Sequence, residues 1–213
     1  MMDVTEMIKI APAAIIGLTV HEFSHAYVAY RLGDNTAKDQ GRLTLNPLKH
    51  IDWMGFFLIL VAGFGWAKPV TFNPDNLKNK HRDEILISIA GPVSNLITAF
   101  LLFIVARGLY SLDFFHGTVL GLDIVNLIVV WGVINISLFI FNLIPLPPLD
   151  GSHIYLTFLK ETNPKLMTNL YKYGTFGLLI IILVENSLHT DILHLSSMIG
   201  TVTSFFMKLM AFS

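Results

Sequence analysis

No cysteine occurs anywhere in the 213-residue chain, which excludes a disulfide framework and any thiolate metal site. A bound metal would have to be held by His, Asp or Glu, a donor set that suits hard or borderline cations such as zinc and not iron–sulfur chemistry. Charge is scarce as well: Asp, Glu, Lys and Arg make up 14% of the residues, against about 25% in an average soluble chain. Neither sign is in excess, since 14 Lys and Arg oppose 15 Asp and Glu for a formal net charge of −1. Without a basic face to pair with phosphates, nucleic acid is excluded as a partner. Repeats and low-complexity tracts are absent. The first residues carry Asp3, Glu6 and Lys9 instead of a basic cluster, and no small-residue cleavage pattern follows. The first apolar run is therefore expected to stay in place as an anchor.

What the chain has is apolar length. Hydrophobic residues reach 54% and the mean hydropathy is +0.64. Ile85 to Ala106 is 22 residues without a charge, opening after Asp83 and Glu84 and closing at Arg107; Ile124 to Ile144 is another 21. Each covers roughly 30 Å of hydrocarbon at 1.5 Å per residue. Ile10 to Tyr30 is equally long but contains His21, Glu22 and His25. Ionisable groups inside a span are costly, so a functional site is expected there. Beyond residue 156, Tyr173–Val184 and Ile192–Phe212 predict one or two further membrane helices. The expectation is an all-α polytopic membrane protein: a single domain over 1–213, with a core of about 8–155 and a membrane-associated region of about 156–213.

Between the first two spans the pattern changes. Trp53–Gly65 is apolar but only 13 residues long and is interrupted by Gly55 and Gly63, which suits a re-entrant or interfacial piece. In Lys68–Pro74, two prolines, a β-branched pair and Phe72 favour extended structure, so a short strand or hairpin is expected there. Eight of the 14 basic residues lie between the first span and Ile85, three more follow the Ile124 span, and only Arg107 falls in 107–123. The positive-inside rule then makes both rich regions cytoplasmic and 107–123 external. This holds only if Trp53–Gly65 does not cross.

His21-Glu22-Phe23-Ser24-His25 reads H-E-x-x-H. Residues four apart share a helix face, so both imidazoles reach one ion while Glu22 sits beside its open coordination position. Two core histidines with a surface Glu would make the same pattern in a soluble chain. Here three unpaired ionisable groups would sit in lipid at a cost of several kcal/mol, a penalty that a metal removes. The third ligand has few candidates: Asp150, Asp123, Glu185 and His153. His21 and His25 fall in the cytoplasmic half of the first span. An even number of crossings separates them from Asn142–Gly151, which brings Asp150 to the same side and depth. Pro145, Pro147 and Pro148 stop the preceding helix, and irregular backbone at membrane depth is tolerated where it lines a polar cavity.

HEFSH at 21–25, Gly91-Pro92-Val93-Ser94-Asn95 in the second span, and Asn142…Pro145…Leu149-Asp150-Gly151, in that order, resemble the site-2 protease family of intramembrane metalloproteases. Leu45-Asn46-Pro47-Leu48-Lys49-His50-Ile51-Asp52 and Gly65-Trp66-Ala67-Lys68-Pro69-Val70 are similar to its compact prokaryotic branch. The likeness covers roughly residues 10–155, and no module corresponds to the PDZ domain of larger members. The resemblance implies a three-helix catalytic core with one zinc on His21, His25 and Asp150, and Glu22 as the base. It further implies Asn142 as oxyanion stabiliser and Asn95 as an assisting polar residue. The implied activity is hydrolysis of membrane-anchored proteins, at the plasma membrane of a prokaryote with the active site toward the cytoplasm. The bland reading of both asparagines is interhelical hydrogen bonding, worth about 0.6 kcal/mol on average. A CAAX-type metalloprotease would need a distal Glu, for which only Glu185 offers itself. A metal-ion transporter with the same His/Asp site would need ligands strung along a path.

Overall fold

A computed structural model describes residues 4–62, 65–188 and 190–210. The described residues form α1 (Val4–Arg31), α2 (Thr36–Asp39), α3 (Trp53–Ala62), α4 (Lys80–Tyr110), α5 (Asp113–Gly117), α6 (Val119–Asn142), α7 (His153–Thr162), α8 (Pro164–Leu188) and α9 (Leu195–Leu209), joined by loops and single 3₁₀ turns. Among the described residues, four helices are long and apolar enough to cross a membrane: Thr5–Arg31, Lys80–Tyr110, Val119–Asn142 and Pro164–Glu185. The expected spans at Ile10, Ile85 and Ile124 are therefore helices that begin earlier than their uncharged runs.

The reason lies at the caps. Asn79 Oδ1 accepts the Arg82 N–H and starts α4 five residues before the apolar stretch, with Asp83 in a first turn that favours acidic side chains. Thr118 Oγ1 does the same for α6 through Gly121 N–H. Pro164 at the first position of α8, behind an Asn163 that accepts Leu166 N–H, extends that helix well beyond its apolar core. Ile192–Phe212 shortens to α9, which is below spanning length; Phe212, like Asp3, lies outside the described residues.

α1, α4 and α6 pack on one another pairwise and form the centre of the molecule. Contact is close because α1 turns small residues inward: Ala13, Ala14, Ala26 and Ala29 are buried, and a methyl on Gly17 would collide with Leu138 of α6. Membrane helices associate through such small-residue faces, where lipid supplies no hydrophobic drive. Trp131 Nε1–H, donating to Lys9 O at 2.8 Å, adds a polar tie between α6 and α1. Ala99, Phe103, Ile136, Ile140 and Phe206 form an apolar cluster that fastens α9 onto α4 and α6.

α3 spans 10 residues, about 15 Å of helix, which is too short to cross. Gly63, one of the two glycines expected to interrupt that piece, lies outside the described residues. The chain then runs without helix or strand over 65–73. No strand or hairpin forms among the described residues, contrary to the expectation for Lys68–Pro74. This segment takes most of its partners from side chains. Arg42 donates to Lys68 O and Pro69 O, Glu22 accepts Val70 N–H, and Asp34 accepts Asn73 N–H; its backbone bonds are Lys68 N–H donating to His50 O and, at its end, Asn73 O accepting Asn76 N–H. It is a strap, not a sheet edge.

Candidate metal centre

His21 and His25 lie one turn apart on α1, both buried, with their Nε2 atoms 3.0 Å from each other. Each ring is oriented from behind. His21 Nδ1–H donates to Asn95 Oδ1 at 2.7 Å and His25 Nδ1–H to Ile87 O at 2.7 Å, both on α4. With an acceptor at each Nδ1 the proton belongs there, and Nε2 is left as a lone-pair donor.

Asp150 enters from the other end of the chain. After α6 stops at Asn142, prolines at 145, 147 and 148 carry the backbone through a tight irregular loop with a cis peptide between Pro147 and Pro148. Gly151 seals that loop against α6, since a methyl there would meet Leu143 O. This places Asp150 Oδ2 3.0 Å from His21 Nε2 and 3.4 Å from His25 Nε2, and it has no hydrogen-bond partner although buried. Three electron-pair donors thus face a common point, all within 4.8 Å of one another. Such an arrangement is repulsive without a cation and is the 2-His-1-carboxylate set that binds zinc. Gly91 completes the cradle: a methyl on it would run into Nε2 of both histidines. The residues fit a metal.

Glu22 is buried beside the histidines, its Oε2 accepting Val70 N–H from the strap at 2.7 Å. The strap in turn is pinned around it. Asp34 is fully buried and accepts from Thr36 N–H and hydroxyl, Asn73 N–H and Asn76 Nδ2. Burial pushes its carboxyl up, but these hydrogen bonds more than offset that and hold it below the ordinary range. His50 is fully buried too; burial lowers it, with the Arg42 charge in support, against the opposing pull of its bond to Thr44 O and the Glu22 charge.

The other candidate residues are placed differently. Asn142 Nδ2 donates to Leu138 O at the last turn of α6. His153 stands outside the ligand group and pairs with the Tyr171 hydroxyl at 3.1 Å. Glu185 accepts Leu193 N–H, and Asp123 is exposed near the start of α6. Two residues that the motifs did not flag carry part of the site, Arg42 and Asn135, and Val70, quoted only for its family likeness, contributes a backbone N–H. Asn135, fully buried on α6, accepts from Asn95 Nδ2 at 3.1 Å. Its signal was an amide in an otherwise apolar run, the same signal that Asn95 gives.

Comparison with known proteins follows this geometry. The sequence pattern of "Peptidase family M50" matches residues 10–184. A Bacillus subtilis protein named "Putative zinc metalloprotease YwhC" is 47% identical over 169 residues, 78% of this chain and 76% of that protein. "Putative zinc metalloprotease Rip2" of Mycolicibacterium smegmatis is 29% identical over 178 residues, 80% of this chain and 63% of the relative. The Mycobacterium tuberculosis protein of the same name is 28% identical over 174 residues. No solved structure matches the chain.

Proposed function

The chain belongs to peptidase family M50 and is by that membership a metalloendopeptidase; from this premise we propose that it hydrolyses peptide bonds of membrane-anchored proteins, with zinc held by His21, His25 and Asp150. The carrying observation is the meeting of two imidazole lone pairs on α1 with an unpartnered carboxylate oxygen from 150. A zinc ion held there supplies Lewis acidity, making water nucleophilic near neutral pH. The protein's own groups do the rest. Asn95 and Ile87 O keep both Nε2 atoms free to ligate. Glu22 takes a proton from the attacking water and later gives it to the leaving amine, its carboxylate being oriented meanwhile by Val70 N–H. Asn142, at the end of α6, is the candidate to hydrogen-bond the developing oxyanion, while Asn95 acts through His21.

A helical substrate hides its carbonyls in its own hydrogen bonds and must be unwound before water reaches them. The strap at 65–73, whose Val70 N–H donates to Glu22, offers a backbone against which an unwound segment can lie. α3, with Trp53, Met54 and Phe57 exposed, fits a piece dipping into the membrane face beside it. The basic-residue distribution supports a cytoplasmic location for this end of the molecule, and the likeness to the compact prokaryotic branch supports a prokaryotic plasma membrane.

The transporter reading finds less support, because the ligand atoms gather at one point and no second group of metal-binding residues occurs among the described residues. Metal analysis of the purified chain tests the assignment. One zinc per wild-type chain is expected, lost in Asp150→Ala; zinc retained in that variant removes the proposed centre.

A further inference from the structure

Both imidazoles must offer Nε2, and the two achieve this differently. His25 faces a backbone carbonyl, Ile87 O, which can only accept. His21 faces Asn95, a primary amide that presents oxygen or NH₂ according to how it is turned. Turned the wrong way, the amide would donate to His21 Nδ1, drive the ring proton to Nε2 and block a ligand.

What turns the amide is a backbone carbonyl together with a second amide. Asn95 Nδ2 points at two acceptors, Gly17 O at 3.0 Å and Asn135 Oδ1 at 3.1 Å. Asn135 presents its oxygen because its own Nδ2 donates to Trp131 O at 2.9 Å, one turn earlier on α6. Both asparagines are 0% exposed, so bulk water cannot replace a lost partner. Gly17 permits the arrangement, since a methyl there would collide with Leu138 and press on the Asn135 oxygen. The direction of every bond follows in order: Trp131 O, Asn135, Asn95, His21.

We propose that Asn135 is a positioning residue of the metal centre, acting through Asn95 to fix the ring tautomer of His21 so that Nε2 remains a lone-pair donor. This rests on the metal-centre reading above. Asn135 itself makes no hydrogen bond to a ligand; its effect is relayed. A merely structural role, one interhelical hydrogen bond, would lower stability and leave the His21 ring unchanged.

The test uses the full chain in detergent with two readouts. Zinc affinity is measured by chelator competition for wild type, Asn135→Leu, Asn95→Leu and the double variant. The His21 tautomer is read in metal-free protein from imidazole ¹⁵N shifts, assigned by their loss in His21→Gln. Asn135→Leu is expected to weaken zinc ten- to hundredfold, the usual range for groups behind a ligand. The double variant should be no weaker than Asn95→Leu alone, and the His21 proton should move from Nδ1 toward Nε2. Asn135→Asp, which keeps an acceptor toward Asn95, should preserve the wild-type tautomer and serves if the leucine variant does not fold. Wild-type zinc affinity and tautomer in Asn135→Leu, or a shifted tautomer in Asn135→Asp, overturns the proposal. A wild-type chain that binds no zinc would instead sink the metal-centre reading, while the metal-free ¹⁵N experiment still decides the role of Asn135.

Discussion

Individual atoms decide most of what this site can do. Gly91 has no room to grow, because the space above its Cα is held by two imidazole edges. Gly91→Ala is expected to displace both rings, cost about 1–3 kcal/mol through overpacking, and release zinc, as metal content and thermal unfolding would report together. Glu22→Gln keeps the shape but cannot carry the proton. Zinc should stay at one per chain while cleavage falls by at least about 100-fold, the range for a lost general base. Retained cleavage would return attention to another base. At this scale the sequence was already informative. His21, Glu22 and His25 announce themselves through helical spacing and through their cost inside an apolar run, and Asp150 through its place after an even number of crossings. Asn135 did not stand out, because an amide in a span reads the same whether it orients a ligand or joins two helices. Only the direction of its hydrogen bonds separates the cases.

At the level of elements, helices were legible and the strap was not. The apolar runs predicted α1, α4 and α6 with their ends misplaced by the capping residues Asn79 and Thr118. Segment 65–73 has the β-branched and aromatic residues of a strand, yet its partners are Arg42, Glu22 and Asp34, a pairing that no local pattern encodes. Asp34→Ala removes the acceptor of four donors and should destabilise by about 1–3 kcal/mol, freeing the strap to earlier proteolysis. The pH dependence has a definite sign. The Asp34 carboxyl is held below its unfolded value, so its contribution is complete above roughly pH 4 and is lost as pH falls further. His50 is likewise depressed; its contribution is complete above about pH 6.5 and diminishes below it. Acidification should therefore loosen the strap in two stages, observable as rising proteolytic sensitivity around residues 65–76. Asp34→Asn should remove the lower stage alone.

The whole molecule is a three-helix centre with α8 and α9 added at its flanks, and the fall of Lys and Arg is the basis of the orientation proposed for it. Because the native chain has no cysteine, single introduced thiols report topology without background. Asp113→Cys, in the connection between α4 and α6, should react with a membrane-impermeant maleimide on intact cells. Glu161→Cys should react only after the membrane is opened; the reverse pattern would invert the assigned orientation. The long apolar helices of this plan were present in the hydropathy, since their length is set by the solvent they cross, not by side-chain detail. The joining of the two halves of the site was expected from the count of crossings, but its means was not, for it depends on Gly151 and the proline loop pressing Asp150 back toward α1. On the proposed mechanism, the contact between Glu22 and Val70 N–H would tie the proton-carrying carboxylate mechanically to the segment an incoming chain would first disturb. Recognition and proton transfer then share one lever, so a peptide that fails to seat along 65–73 should leave the enzyme bound but idle.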